Sequence, residues 1–279
     1  MRLRCLAPGK VNLALYVGAP RADGLHPLVS VVQPVSLADE LTLEPASGLV
    51  GDEVVCPGVE GENLAGAALA AFREATGWDA PPQRLTIAKR VPVAAGMGGG
   101  SGDAAAALRL AAHAAGGADP ELLLRLAAGL GGDVPSQVAP GRTLMTGAGE
   151  QVRALAGPGG LALVILPSPH ALSTPAVYRE FDALGVHRGP EELAALEARG
   201  GDLPVHNDLQ DAARSLCPPI DEALAAVAAT GAKDVLVSGS GPTVFGIYDD
   251  PETAEAAAAA VGGIAAQPVG AAFGAVTEA

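Results

Sequence analysis

Five glycines stand among the seven residues Gly96-Met97-Gly98-Gly99-Gly100-Ser101-Gly102, which run directly into the alanine-rich stretch Asp103-Ala104-Ala105-Ala106-Ala107-Leu108. Without Cβ atoms, peptide N–H groups approach an anion closely, and the first turn of a following helix adds unpaired donors and the positive end of its dipole. The chemistry such a loop offers is phosphate binding. Other chemistry-bearing residues are less explicit. Asp133, between Gly131-Gly132 and Val134-Pro135, reads by spacing as a helix cap. Lys10, between Gly9 and Val11, reads as a solvated lysine at a strand start, and His26, after the turn Asp23-Gly24, as a surface histidine.

Spelling separates the kinds of phosphate loop. A Walker loop requires Gly-x-x-x-x-Gly-Lys-Ser/Thr, and none of the three lysines, Lys10, Lys89 and Lys233, stands in that context. A dinucleotide fingerprint requires a third glycine where Ser101 stands and an acidic residue ending the next strand, whereas Asp119-Pro120 opens a helix. A flexible linker is disfavoured because a strand precedes the loop and a helix follows it.

The elements that must position this loop are mixed in order. Val11–Val17, Leu28–Leu37, Leu41–Leu43 and Arg84–Val91 are strand-like runs. Helical spacing of apolar residues marks Glu62–Thr76, and a capping Asp119 with proline at the first helical position starts a helix that Gly131-Gly132 stops. The segment Ala156–Gly160 reads as a boundary before a buried strand at Leu161–Leu166. Beyond it, helices are expected at Pro190–Arg199, Asp208–Leu216, Pro219–Ala229 and Pro251–Val261. Strands are expected at Val235–Val237, Val244–Tyr248 and Val269–Val276, with a tight hairpin at Ser238–Thr243. The order favours an α+β fold in two domains, 1–156 and 157–279.

Composition narrows the partners. The 279 residues carry a net charge of −14 with no basic stripe, which argues against a nucleic-acid groove or an anionic membrane surface. Prolines break the uncharged stretch Ala154–Tyr178, and Gly262-Gly263, Pro268 and Gly270 break Ala256–Thr277, so neither reads as a membrane span. Cys5, Cys56 and Cys217 are odd in number and far apart, fitting a reduced cytoplasmic protein without a disulfide framework or zinc site. The short apolar run at the N-terminus does not fit a signal peptide.

Three segments, Pro8-Gly9-Lys10-Val11-Asn12-Leu13, the glycine loop, and Ser238-Gly239-Ser240-Gly241-Pro242-Thr243, stand in the order of the three signatures of the GHMP kinases. The chain resembles that family over its whole length. The segments Arg21–His26, Leu130–Pro135, Thr146–Glu150, Ser173–Tyr178 and His206–Leu209 resemble the branch acting on a cytidine-diphosphate-linked methylerythritol. The resemblance implies a ribosomal-protein-like N-terminal α/β domain and a ferredoxin-like C-terminal α+β sandwich. It implies ATP and Mg²⁺, with Pro92, Val93, Ala94, Ala95, Gly96, Met97, Gly98, Gly99, Gly100, Ser101 and Gly102 wrapping the phosphates, Ser101 offering a hydroxyl to phosphate or metal, and Asn63 near the adenine. Asp133 becomes the residue that takes the acceptor's proton, and Lys10 the cation that pairs with it. His26 reads the cytidine, Tyr178 stacks on the cytosine, Asn12 places the methylerythritol end, and Thr174 and Ser240 belong to the acceptor pocket. The family usually has an aromatic where Leu25 stands and a second serine where Gly102 stands. A monomer or weak homodimer working on a small molecule, with no nucleic acid or membrane partner, is expected. The competing functions are a homoserine- or mevalonate-type kinase and a non-catalytic metabolite sensor on the same scaffold.

Overall fold

The computed structural model describes residues 1–157 and 161–279, so residues 158–160 of the expected boundary segment lie outside the described residues. Two long strands form its spine, β1 (Leu3–Val17) and β2 (Leu28–Pro45), paired antiparallel from Leu3↔Leu43 to Val17↔Leu28. β1 begins eight residues before the expected Val11, because its first half is also an alternating, half-buried run, and the register shifts at Pro8/Lys10 accommodate Pro8-Gly9. β3 (Glu53–Val55), helix α1 (Leu64–Thr76) and β4 (Gln83–Ala88) follow. Asn63 caps α1 by accepting the Ala65 N–H, and Gly77 ends it in the left-handed conformation.

Helix α2 (Gly99–Ala114) leaves the glycine loop and lies on the first sheet with α1, α3 (Pro120–Leu130) and the short α4 (Val134–Val138). Its alanines at 104–107 are fully buried against Leu41, Leu43, Leu85 and Ile87 of the sheet and Leu69 and Phe72 of α1. Small side chains bring helix and strand close: a Cβ at Gly102 would stand 3.1 Å from the Pro8 carbonyl oxygen. The hairpin β5 (Thr143–Thr146) and β6 (Gln151–Ala154) completes this half of the chain.

The remaining chain supplies β7 (Ala162–Leu166), α5 (Thr174–Leu184), α6 (Pro190–Arg199), β8 (His206–Asn207), α7 (Gln210–Leu216), α8 (Pro219–Ala228), β9 (Asp234–Val237), β10 (Val244–Tyr248), α9 (Pro251–Val261), β11 (Ile264–Ala266) and β12 (Thr277–Glu278). A second, antiparallel sheet runs β11-β7-β10-β9. Leu163, Ile165, Phe245 and Ile247 of that sheet share one buried cluster with Val11, Leu13, Val29 and Val31 of the first, so the sheets are joined by a common apolar layer. β8 and β12 return to pair with β1.

The mixed architecture matches the expected α+β class. One strand expectation fails: 269–276 is not a strand but contains a turn of 3₁₀ helix, Ala271–Gly274, before β12. Pairing there is limited to the Val35↔Pro268 bridge and the Val269 N–H to the Pro34 carbonyl, and the buried Arg109 guanidinium holds the Gly274, Gln137 and Leu6 carbonyls together. Among the described residues, no helix is long and apolar enough to cross a membrane.

Candidate active site

Helix α2 begins at Gly99, inside the glycine run. Gly98 is its left-handed N-cap at φ 63°, without a side chain to cap the turn, so the Gly99, Gly100 and Ser101 amides of the first turn stand free of intrahelical partners. Gly102 donates to the Gly98 carbonyl at 2.8 Å and is already committed to the helix. Before it, the loop takes two sharp bends. Ala94 has φ 53°, a left-handed conformation costing about 1–3 kcal/mol for a residue with Cβ. Gly96 has φ 75°, and a Cβ there would run into the Ser238 carbonyl oxygen.

The hairpin Ser238–Thr243, closed by Val237↔Val244 pairing, locks onto this loop. The Ser238 hydroxyl donates to the Gly96 carbonyl at 3.0 Å, and Asn207 holds the hairpin from below by donating to the Val237 and Gly239 carbonyls at 2.8 Å each. Asn207 joins the second sheet's hairpin to β1, a role that its place in His206-Asn207-Asp208-Leu209 did not reveal by itself.

Lys10 lies in the resulting cleft. Its side chain is only 4% exposed, its Nζ donates to Asn12 Oδ1 at 2.7 Å and stands 3.2 Å from Asp133 Oδ2. Asn12 in turn donates to the Ser30 hydroxyl at 2.9 Å, which donates to the Ala14 carbonyl at 2.6 Å. Asp133 occupies the N-cap position of α4, where spacing placed a cap, but its carboxylate caps nothing. It faces Lys10 and remains 35% exposed. The acid is therefore oriented by Lys10 and open to a ligand.

A cavity of about 570 Å³ joins these groups. Its lining contains Lys10, Asn12, Asn63, Pro92, Val93, Ala94, Ala95, Gly96, Gly98, Gly99, Gly100, Ser101, Asp133, Thr174, Tyr178 and Ser240. Thr174 and Ser240 share a hydroxyl–hydroxyl hydrogen bond of 2.9 Å. Burial, with the Asp133 charge, pushes the Tyr178 hydroxyl well above its ordinary value, so it stays neutral. Met97, Gly102 and His26 do not line the cavity: the Met97 side chain is buried, with its carbonyl accepting the Lys10 N–H, and His26 sits against Tyr178 at 4.8 Å between ring centres. Leu25 points outward, 53% exposed.

A second charged group escaped the sequence reading. Lys89 Nζ donates to Asp39 Oδ2 at 2.6 Å and to Asp103 Oδ2 at 2.8 Å, and a Cβ on Gly99 would lie 3.2 Å from it. Asp39, fully buried, also accepts the Arg90 and Val91 N–H groups. Burial pushes the Asp103 carboxyl up to about 7 against the opposing pull of Lys89. Asp103 and Asp39 outweigh burial and raise Lys89. The cluster ties β2, β4 and α2 together behind the loop, and scarcity of lysine was its only trace in the sequence.

Known proteins place this geometry. The family described as GHMP kinases N terminal domain matches residues 63–141, and GHMP kinases C terminal matches residues 181–265. A 4-diphosphocytidyl-2-C-methyl-D-erythritol kinase of Streptomyces coelicolor is 44% identical over 273 residues, covering 91% of this chain and 90% of its own, and the one from Corynebacterium efficiens is 38% identical, covering 91% and 87%. A crystal structure of 4-(cytidine 5'-diphospho)-2C-methyl-D-erythritol kinase superposes with a TM-score of 0.76 at 36% identity, covering 98% of this chain and 97% of that one. Homoserine kinase from Cytophaga hutchinsonii reaches a TM-score of 0.75 at 16% identity, a likeness of fold. With both domain patterns matched and close relatives aligned almost end to end, the chain belongs to the GHMP kinase family.

Proposed function

We propose that this chain transfers the γ-phosphoryl group of ATP to the 2-hydroxyl of 4-diphosphocytidyl-2-C-methyl-D-erythritol. The observation that carries the reading is the Lys10–Asp133 pair, 3.2 Å apart and opening onto the same cavity as the free first turn of α2. The relatives' named substrate selects among the alcohols that such a pair could serve. Phosphoryl transfer asks chiefly for positioning and charge stabilisation. The amides of Gly99, Gly100 and Ser101 receive phosphate oxygens. Asp133 accepts the acceptor's hydroxyl proton as the new O–P bond forms, and the Lys10 ammonium stabilises the charge passing between them.

Ser101, in the first turn of α2 and lining the cavity, is a hard oxygen donor beside the phosphate amides, which suits magnesium shared with phosphate oxygens. Bound there, magnesium would neutralise phosphate charge. Asn63 and the loop 92–98 would hold the nucleotide, and Asn12, Thr174, Ser240, Tyr178 and His26 the cytidylated acceptor. The division at 156/157 and a cytoplasmic site, consistent with three free cysteines, belong to this proposal.

The test is ADP release with ATP alone, with the cytidylated alcohol, with methylerythritol phosphate lacking cytidine, and with homoserine or mevalonate. Turnover only with the cytidylated alcohol upholds the reading. Equal turnover without cytidine removes the roles given to His26 and Tyr178, turnover with homoserine or mevalonate makes it a different family kinase, and binding without turnover makes it a sensor.

A further inference from the structure

Behind Tyr178, His26 converges on one point with two side chains that the phosphoryl-transfer account leaves unused, Asp182 and His187. His26 Nε2 and His187 Nε2 each lie 2.8 Å from the same oxygen, Asp182 Oδ1. The three ligand-capable atoms are all within 4.8 Å of one another. They come from separate places in the chain: the β1–β2 connection, the last turn of α5, and the loop after α5. We propose that His26, Asp182 and His187 form a binding site for a zinc-class dication, and that its occupation blocks the cytidylated acceptor.

The donor set is two imidazoles and one carboxylate, three protein ligands that leave a fourth tetrahedral position for water. Such nitrogen-rich sites select borderline transition metals, whereas magnesium prefers oxygen donors, so this site is chemically distinct from the magnesium position at Ser101. The geometry needs little movement. Zinc bonds of about 2.0–2.2 Å to nitrogen and oxygen place ligand atoms roughly 3.5 Å apart, within the span already present. The rings are held in place: His187 packs edge-on to Phe181 at 5.0 Å, His26 meets the same ring at 6.4 Å, and Phe181 is fully buried. The site is also reachable, since the side chains of Asp182 and His187 are 35% and 22% exposed.

The consequence follows from the shared helix. Tyr178 and Asp182 are four residues apart on α5, one turn, and His26 touches both. A bound ion would draw His26 into coordination and fix α5 to the β1–β2 connection, withdrawing His26 from the cytosine. This consequence rests on the proposed role of His26; the site itself does not.

The test titrates Zn²⁺ into the full chain by calorimetry and Co²⁺ by visible absorption. One ion per chain with tetrahedral cobalt bands is expected, weakened about tenfold or more in both His187→Ala and Asp182→Asn. With magnesium in excess, Zn²⁺ should raise KM for the cytidylated acceptor and leave KM for ATP unchanged. His187→Ala should turn over at the parent rate without zinc and lose the zinc effect. Absence of binding, or binding unchanged in both variants, would overturn the site. Binding that responds to both variants while the acceptor KM stays constant upholds the site but overturns the proposed block of the acceptor, and with it the role given to His26.

Discussion

Lys89 and Lys10 both reach the glycine-rich head of α2, Lys89 beside Gly99 and Lys10 beside Gly98, yet their surroundings are opposite. Lys89 is held between two buried carboxylates, Asp39, whose other oxygen accepts the Arg90 and Val91 N–H groups, and Asp103, whose other oxygen is buried without a partner. Lys10 has one carboxylate, longer at 3.2 Å, and that partner is one-third exposed to the cavity. The first arrangement is shielded from solvent and ties β2, β4 and α2 together behind the loop; the second leaves a carboxylate open to the cavity. What sets the Lys10 pair apart is that its carboxylate is exposed to the cavity.

The largest expected effect falls on the open pair. Asp133→Asn should lower kcat by about 10²–10⁴-fold with KM for ATP and thermal stability nearly unchanged, measured by ADP release and melting. Lys89→Ala should invert that pattern. Two buried carboxylates would lose their common cation, costing about 3–5 kcal/mol in denaturant unfolding, while kcat at saturating ATP falls far less than in Asp133→Asn. Similar kcat losses in both variants would break the contrast.

Two glycine substitutions sharpen it within the loop. Gly96→Ala meets the Ser238 carbonyl and a left-handed φ, so a loss of at least ~1–3 kcal/mol and a raised KM for ATP are expected. Gly100→Ala meets open space in the first helical turn and should change stability by no more than about 1 kcal/mol, in the stabilising direction. Its KM for ATP then reports how closely phosphate packs there.

The smallest effect concerns the joint between β8 and β1. Burial works to raise the Asp208 carboxyl, but hydrogen bonds from Arg188, the Val17 N–H and His206 outweigh it and hold the group below its usual range. A depressed folded value stabilises the native state above the unfolded value of about 3.9 and is lost as pH falls through the folded one. Asp208→Asn should therefore be less stable than the parent near pH ~6, with the gap closing as pH drops toward ~2, read from urea midpoints. A constant gap would remove the electrostatic account of this joint.

Much of the glycine loop and its helix was legible because it is local. Consecutive glycines before an alanine run mark a bare-backbone loop at a helix N-terminus without help from tertiary structure, and the helix capped at Asp119 announces itself in the same way. Pairings across long separations were hidden. Asp39 and Lys89 are fifty residues apart and Asn207 reaches Gly239 across thirty-two, and no periodicity carries that information. Asp133 illustrates the boundary between the two: its spacing describes an N-cap, its position is an N-cap, and only the fold reveals that its carboxylate faces Lys10 instead. The strand expected at 269–276 failed for a related reason, since Arg109, far away in sequence, binds the Gly274 carbonyl there.

The most direct test is a crystal structure with a non-hydrolysable ATP analogue and the cytidylated alcohol. The terminal phosphate should rest on the amides of Gly99, Gly100 and Ser101, with the acceptor hydroxyl within about 2.6–3.2 Å of Asp133 and Lys10 beside both. Phosphates bound elsewhere, or an acceptor hydroxyl out of reach of Asp133, would contradict the account.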